Sequence, residues 1–175
     1  MKYLIASDIH GSAYWCERLM EAVDAQQPDK IILLGDLLYH GPRNDLPRGY
    51  APKQVIPMLN GLASSITCVR GNCEAEVDQM VLDFPCMGDY SQLVDESGRT
   101  LWLTHGHLWN PDLLPPLAPG SAFLYGHTHV KQLAETPEGI TLFNPGSVSI
   151  PKDGSHSYGI YEDGQFRFEL LEESE

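Results

Sequence analysis

The 175-residue chain carries 24 Asp and Glu against 11 Lys and Arg, a formal net charge of −13, with 42% hydrophobic and 20% charged residues. That balance predicts no long nucleic acid as a partner, because binding one by counterion release needs a basic contact surface. The 16 glycines and 13 prolines, 29 of 175 residues, fall below the roughly 25–30% that marks disordered chains, and the length predicts one domain spanning residues 1–175.

Residues 2–7 (KYLIAS) predict a short buried strand, and residues 12–26, with Trp15, Leu19, Met20 and Val23 at helical spacing, predict a helix. Residues 30–34 (KIILL) form a continuous apolar run ending at Gly35-Asp36, as expected of a central parallel strand covered on both faces. A loop rich in Gly, Pro, Arg and Asn follows, then a helix over residues 52–62 blemished by Pro57, and a strand over residues 65–69 that stops at Gly71-Asn72.

The second half changes character. Residues 92–96 and 99–104, 132–135 and 140–143, and 158–161 and 165–170 pair off around turn-forming residues as three hairpins. Parallel units followed by hairpins predict two packed sheets flanked by helices, an α/β sandwich. The acidic end, residues 172–175, reads as frayed.

No apolar run nears the roughly 20 residues that span a bilayer. Asp8 and His10 follow the first apolar residues too early for a signal peptide, so a cytoplasmic protein with no membrane partner is expected. Cys16, Cys68, Cys73 and Cys86 form no CxxC pair, which favours reduced thiols. Homo-oligomerisation is left open.

Five polar clusters fall where apolar strands stop: Asp8-Ile9-His10, Gly35-Asp36, Gly71-Asn72, His105-Gly106-His107 and Gly126-His127-Thr128-His129. In an α/β sheet the carboxyl ends of strands open onto one crevice, so these clusters are expected to converge. Asp8 with His10, and His127 with His129, are two apart, and an extended backbone would aim both members of each pair the same way.

Carboxylate, imidazole and amide oxygen without thiolate suit manganese, iron or zinc better than a structural zinc knot. Seven side chains, Asp8, His10, Asp36, Asn72, His105, His127 and His129, suffice for two ions about 3.5–4 Å apart if one carboxylate bridges them, and Asp36 is the bridging candidate. Buried carboxylates and imidazoles in such number would cost several kcal/mol unless cations neutralised them. His40 and His156 lie in polar loops, where surface histidine is the default.

In order, DIH, GDLLYHGPRN, GNCE, THGH and GHTH along residues 8–129 resemble the blocks of the calcineurin-like metallophosphoesterases. With NPGSVSIPK near the end, the likeness is strongest to a type of small bacterial phosphodiesterase within that superfamily. The resemblance implies a four-layer αββα sandwich of two mixed sheets flanked by helices.

It also implies two divalent ions, commonly manganese, with zinc, iron(II) or nickel as alternatives. Asp8, His10, Asp36 and His129 match the ligands of one ion, and Asp36, Asn72, His105 and His127 those of the other. The implied reaction is attack of a metal-bridging hydroxide on a small phosphate ester, with Asn72 and His107 orienting the phosphoryl group and Arg43, His40 and Asn44 as substrate contacts.

Two positions depart from the family. Cys73 stands where a histidine usually helps protonate the leaving alkoxide, so good leaving groups are expected to react best. The usual GDxxDR reads Gly35 to His40, with Arg43 later, so a loop-pinning role competes with phosphate contact for Arg43, His40 and Asn44. The alternative from another class is a protein-interaction scaffold on the same fold, as the retromer subunit resembles it. NPGS, residues 144–147, reads as turn chemistry and scaffold.

Overall fold

The computed structural model describes residues 1–173; Ser174 and Glu175, the end of the acidic tail, lie outside the described residues. In chain order the elements are β1 (Lys2–Ala6), α1 (Ala13–Gln26), β2 (Lys30–Leu33), α2 (Pro52–Asn60), a 3-10 turn (Ala63–Ser65), β3 (Ile66–Cys68) and α3 (Glu76–Gln79). Then follow β4 (Tyr90–Val94), β5 (Thr100–Thr104), β6 (Ala122–Leu124), β7 (Lys131–Glu135), β8 (Thr141–Pro145), β9 (Ser157–Glu162) and β10 (Gln165–Leu170).

The strands form two mixed five-stranded sheets, ordered β10-β9-β1-β2-β3 and β4-β5-β6-β8-β7. β1, β2 and β3 run parallel, and β9 joins β1 antiparallel. In the second sheet β5, β6 and β8 are parallel, edged by antiparallel β4 and β7. The predicted α/β sandwich therefore stands.

Side-chain alternation sorts the cores. From β1, Leu4 and Ala6 face the helices with Trp15, Leu19, Val55 and Leu59, whereas Tyr3 and Ile5 face the second sheet with Ile32, Leu103, Leu124 and Phe143. Each fully buried aliphatic chain there contributes about 1.5–3 kcal/mol. The outer face of the second sheet carries Trp102, Phe123 and Tyr125, covered by Trp109, Leu114 and Leu117 of the irregular connection between β5 and β6.

α1 starts where Ser12 accepts the Trp15 N–H at 3.2 Å, and its buried residues recur at helical spacing. α2 tolerates Pro57 because the helix is short and begins with Pro52, a favoured first residue. β4 begins two residues earlier than the hairpin pattern predicts, since Tyr90 pairs with Thr104 and stacks on Trp102 at 4.5 Å between ring centroids. The four cysteines carry no disulfide, and no helix of the described residues is long and apolar enough to cross a membrane.

Candidate metal centre

Loops leaving β1, β2 and β3 of the first sheet meet those leaving β5 and β6 of the second. The His105 Nδ1–H donates to the Leu34 carbonyl at 2.7 Å, and the His127 N–H donates to Asp8 Oδ2 at 3.1 Å, so the sheets are tied together at the site itself. A cleft of about 450 Å³ opens there, lined by Asp36, Arg43, Asn44, Asn72, His127, Thr128, His129 and Lys152.

The backbone is unusual where these side chains start. Among the described residues, seven non-glycine positions have positive φ, and five are Asp8 (59°), His10 (47°), Asp36 (57°), His127 (66°) and His129 (59°). The expectation of extended backbone at the two paired positions is thus corrected: each pair reaches inward through left-handed residues. Asp and His tolerate that region better than most residues, yet each such position costs about 1–3 kcal/mol.

The surrounding loops hold these turns in place. Asp8 N–H, His10 N–H and Gly11 N–H donate to the carbonyls of Gly35, Asp36 and Leu37 at 3.1, 2.9 and 2.8 Å. The hydroxyls of Ser147 and Ser149 donate to the Asp8 carbonyl at 2.9 and 3.2 Å, which gives the NPGS turn a specific supporting task. Close backbone approach matters at two glycines: a Cβ on Gly71 would fall on Asp36, and one on Gly126 would fall on Ser7 and Asp8.

Asp8 Oδ2 accepts from the Ser7 hydroxyl at 2.6 Å and from the His127 N–H, while Asp8 Oδ1 is buried with no hydrogen-bond donor. That bare oxygen lies 3.1 Å from His129 Nε2 and 3.4 Å from His10 Nε2. Each ring is anchored by Nδ1, to the Ile150 carbonyl at 2.7 Å and the Tyr39 carbonyl at 2.8 Å, so in the neutral ring Nε2 presents a lone pair.

His105 repeats the arrangement. Its Nδ1 is held by Leu34, and its Nε2 faces Asn72 Oδ1 at 3.1 Å and Asp36 Oδ2 at 3.3 Å. Asp36 Oδ2 also lies 3.7 Å from His10 Nε2, which places this carboxylate between the two histidine groups.

This inward set of lone pairs with an unpartnered carboxylate oxygen fits a divalent cation, and the ligand atoms of Asp8, His10 and His129 lie within 4.8 Å of one another, as do those of Asp8, Asp36 and His105. Burial opposes charge on His105, but the Asp36 and Asp8 carboxylates outweigh it and lift the ring to about 9. Burial likewise opposes ionisation of Asp8, yet His10 and His129 hold its carboxyl well below the ordinary range.

Of the remaining predicted residues, His127 lines the cleft with its ring centroid 5.1 Å from that of His105. His107 is half-buried 5.4 Å from His105, and its Nδ1 lacks a partner. Arg43 and Asn44 line the cleft. His40 is not among the lining residues; it packs edge-on against Tyr39 and Tyr50, and its carbonyl accepts from Asn44 at 2.8 Å. His156 is no free surface residue either, since its ring stacks on Trp15 at 3.5 Å.

The Cys73 N–H donates to Asp36 Oδ1 at 2.9 Å, while burial and the Asp36 carboxylate push its thiol well above the ordinary range. It is a weaker acid than the free thiol the sequence suggests.

Two residues escaped the sequence reading. Glu74, in the GNCE block, is buried and accepts the N–H groups of Asp36 at 2.8 Å, Leu37 at 2.7 Å and Gly71, so one carboxylate fastens the turns after β2 and β3 together. An acid two positions after Asn72 was the available signal. Lys152 lines the cleft because its N–H donates to the His129 carbonyl at 2.9 Å, a link with no signature in sequence spacing.

Two sheets whose strand ends gather acid, imidazole and amide side chains around a cleft fit the class of calcineurin-like phosphoesterases. The chain belongs to that family: the Calcineurin-like phosphoesterase superfamily domain matches residues 1–163. Among individual proteins, Phosphodiesterase YfcE of Escherichia coli K12 is 49% identical over 163 residues, covering 93% of this chain and 88% of that protein.

The solved structure of YfcE, a phosphoesterase from E. coli, superposes with a TM-score of 0.90 at 43% identity, covering 98% of this chain and 100% of the other. An archaeal phosphodiesterase shares the fold, with a TM-score of 0.69 at 20% identity over 98% of this chain and 100% of that one. The protein is accordingly a hydrolase of phosphate esters, which sets the scaffold alternative aside, and its family implies divalent metal ions.

Proposed function

We propose that the chain is a metal-dependent phosphodiesterase with a dinuclear centre, acting on small diesters with good leaving groups. The observation that carries this reading is Asp36, whose carboxylate stands between His10 and His105 at 3.7 and 3.3 Å, where one oxygen can serve two ligand groups. Asp8, His10, Asp36 and His129 would hold one ion, and Asp36, Asn72, His105 and His127 the other. When bound, divalent cations supply Lewis acidity to the phosphoryl oxygens and bring the pKa of water toward neutrality.

The chain's own residues do the rest. Asn72 and His107 orient the phosphoryl group at the mouth of the centre, and Arg43 and Asn44 contact the substrate beyond it. His40 pins their loop through its carbonyl and its contact with Tyr50. Cys73, a weak acid here, gives the departing alkoxide little help, which favours leaving groups stable as anions. Manganese suits the oxygen and nitrogen donor set. The cytoplasm suits four free thiols.

The test is hydrolysis of an activated aryl phosphodiester by protein stripped with chelator and then reloaded with manganese. The expected result is loss of turnover on stripping, recovery on reloading, and two ions per chain by elemental analysis. Full activity in chelator, or an aryl monoester preferred over the diester, contradicts the proposal.

A further inference from the structure

We infer that Lys152, with Arg43, forms a second anion site in the cleft, selecting phosphodiesters that carry a further phosphate or carboxylate on one organic group. The inference rests on the phosphodiesterase reading above and names a substrate class within it.

Charge placement is the first argument. The chain holds 24 acidic residues against 11 basic ones, yet the cleft lining includes two cations, Arg43 and Lys152, and one carboxylate, Asp36, already committed to the metal ligand set. The lining thus holds more cations than carboxylates, against the balance of the chain as a whole, which favours an anion at this opening.

Among the described residues, neither cation has an acidic partner. Lys2, Arg18, Arg48, Arg70, Lys131 and Arg167 each pair with a carboxylate; Arg43 and Lys152, like Lys30 and Lys53, have no such pair, but of these four they alone line the cleft. Asp153, the acid next to Lys152, is taken by Lys131 at 2.8 Å.

Both cations also stand on segments fixed to the centre. His129 donates from Nδ1 to the Ile150 carbonyl at 2.7 Å and receives the Lys152 N–H at 2.9 Å, a two-way clamp on residues 150–152. His10 donates to the Tyr39 carbonyl at 2.8 Å, and the following turn is closed by Asn44 onto Gly41 and His40 at 3.3 and 2.8 Å. The two rings that face each other across Asp8 thus each anchor one cation-bearing loop.

The cleft of about 450 Å³ is in the range of small-organic-ligand sites, which leaves room beyond the scissile phosphoryl for a charged substituent. Arg43 can meet a planar or tetrahedral anion with two parallel N–H donors, and Lys152 adds a point charge.

The test uses 4-nitrophenyl phosphodiesters with one leaving group throughout, whose retained alkyl chain ends in methyl, carboxylate, phosphate or trimethylammonium. The wild-type holoenzyme should show kcat/KM at least about tenfold higher for the anionic ends than for methyl, in proportion to one added charge-assisted contact. Lys152→Ala should shrink that ratio toward one, and Lys152→Glu should turn it in favour of trimethylammonium. Inhibition constants of the matching non-hydrolysable phosphonates should follow the same order.

A merely structural role for Lys152 would lower all four rates by one factor and leave the ratios unmoved. Equal rates across the series in the wild type, or unchanged ratios in both variants, overturn the inference while leaving the phosphodiesterase reading intact. No turnover of any diester by metal-loaded protein overturns that reading and the inference with it.

Discussion

The Nε2 atoms of His10 and His129 face one another at 3.4 Å, with the ring centroids 5.1 Å apart and each far nitrogen already bound to a carbonyl. Two neutral imidazoles so fixed would oppose lone pair to lone pair beside the bare Oδ1 of Asp8. A cation held between them would remove the conflict. Asp36→Ala or His127→Ala should therefore abolish turnover and lower metal content. Manganese at a hundred times its dissociation constant should stabilise the wild type by about 2.7 kcal/mol, with a smaller gain in either variant. Calorimetric melting with and without metal checks this, and full activity in either variant contradicts the assignment.

Glu74 acts on the centre only through backbone. Removing its carboxylate leaves the N–H groups of Asp36, Leu37 and Gly71 unsatisfied in a buried place, at about 1 kcal/mol or more each. Glu74→Ala should lose about 3 kcal/mol of stability in denaturant titration and, by displacing Asp36, about 100-fold in kcat/KM. Glu74→Gln, which keeps one acceptor oxygen, should fall between. A Glu74→Ala protein with unchanged kinetics would show that Asp36 does not depend on this anchor.

Cys73 sits beside Asp36 with a thiol that gives up its proton reluctantly. Cys73→His should speed hydrolysis of esters with poor leaving groups about tenfold or more while changing activated aryl esters little. A plot of log kcat against leaving-group pKa reads the effect as a flatter slope. Equal rates for both proteins across the series exclude a role for this position in protonating the alkoxide.

Stability should also respond to acid at a point remote from the centre. Burial would raise the Asp95 carboxyl, but the Ser97 hydroxyl, the Tyr161 hydroxyl and the N–H groups of Arg99 and Ser97 outweigh it and hold it at about 2. The Tyr161 bond, at 2.5 Å, ties the β4–β5 turn to β9 of the other sheet. A carboxyl lowered from about 3.9 in the unfolded chain stabilises the fold above that value and loses its contribution as pH falls toward about 2. The difference in Tm between wild type and Asp95→Asn should be present at pH 6 and shrink between pH 4 and pH 2. Its size should be small, because Asp95 is only half-buried and solvent screens its charge. A difference that does not change with pH would mean the carboxylate charge is immaterial there.

Much of this molecule is legible in its sequence because apolar runs and polar strand ends are local signals. The runs around Ile5 and Ile32 announce parallel strands, and Asp8, Asp36, Asn72, His105 and His127 each follow one directly. What was not legible depends on partners distant in the chain. The left-handed turns at Asp8 and His10 are held by the Gly35 and Asp36 carbonyls and the Ser147 hydroxyl, and those at His127 and His129 by the Asp8 carboxylate and the Lys152 N–H, which spacing by two cannot reveal. Glu74 reads as an ordinary acid until three amides are seen to converge on it. Lys152 enters the cleft only through its hydrogen bond to His129.

Anomalous diffraction from crystals grown with manganese addresses the centre most directly. The account predicts two peaks per chain, one within reach of Asp8, His10 and His129, the other of Asn72, His105 and His127, with the Asp36 carboxylate touching both. A single peak, or none with these side chains turned apart, would contradict it.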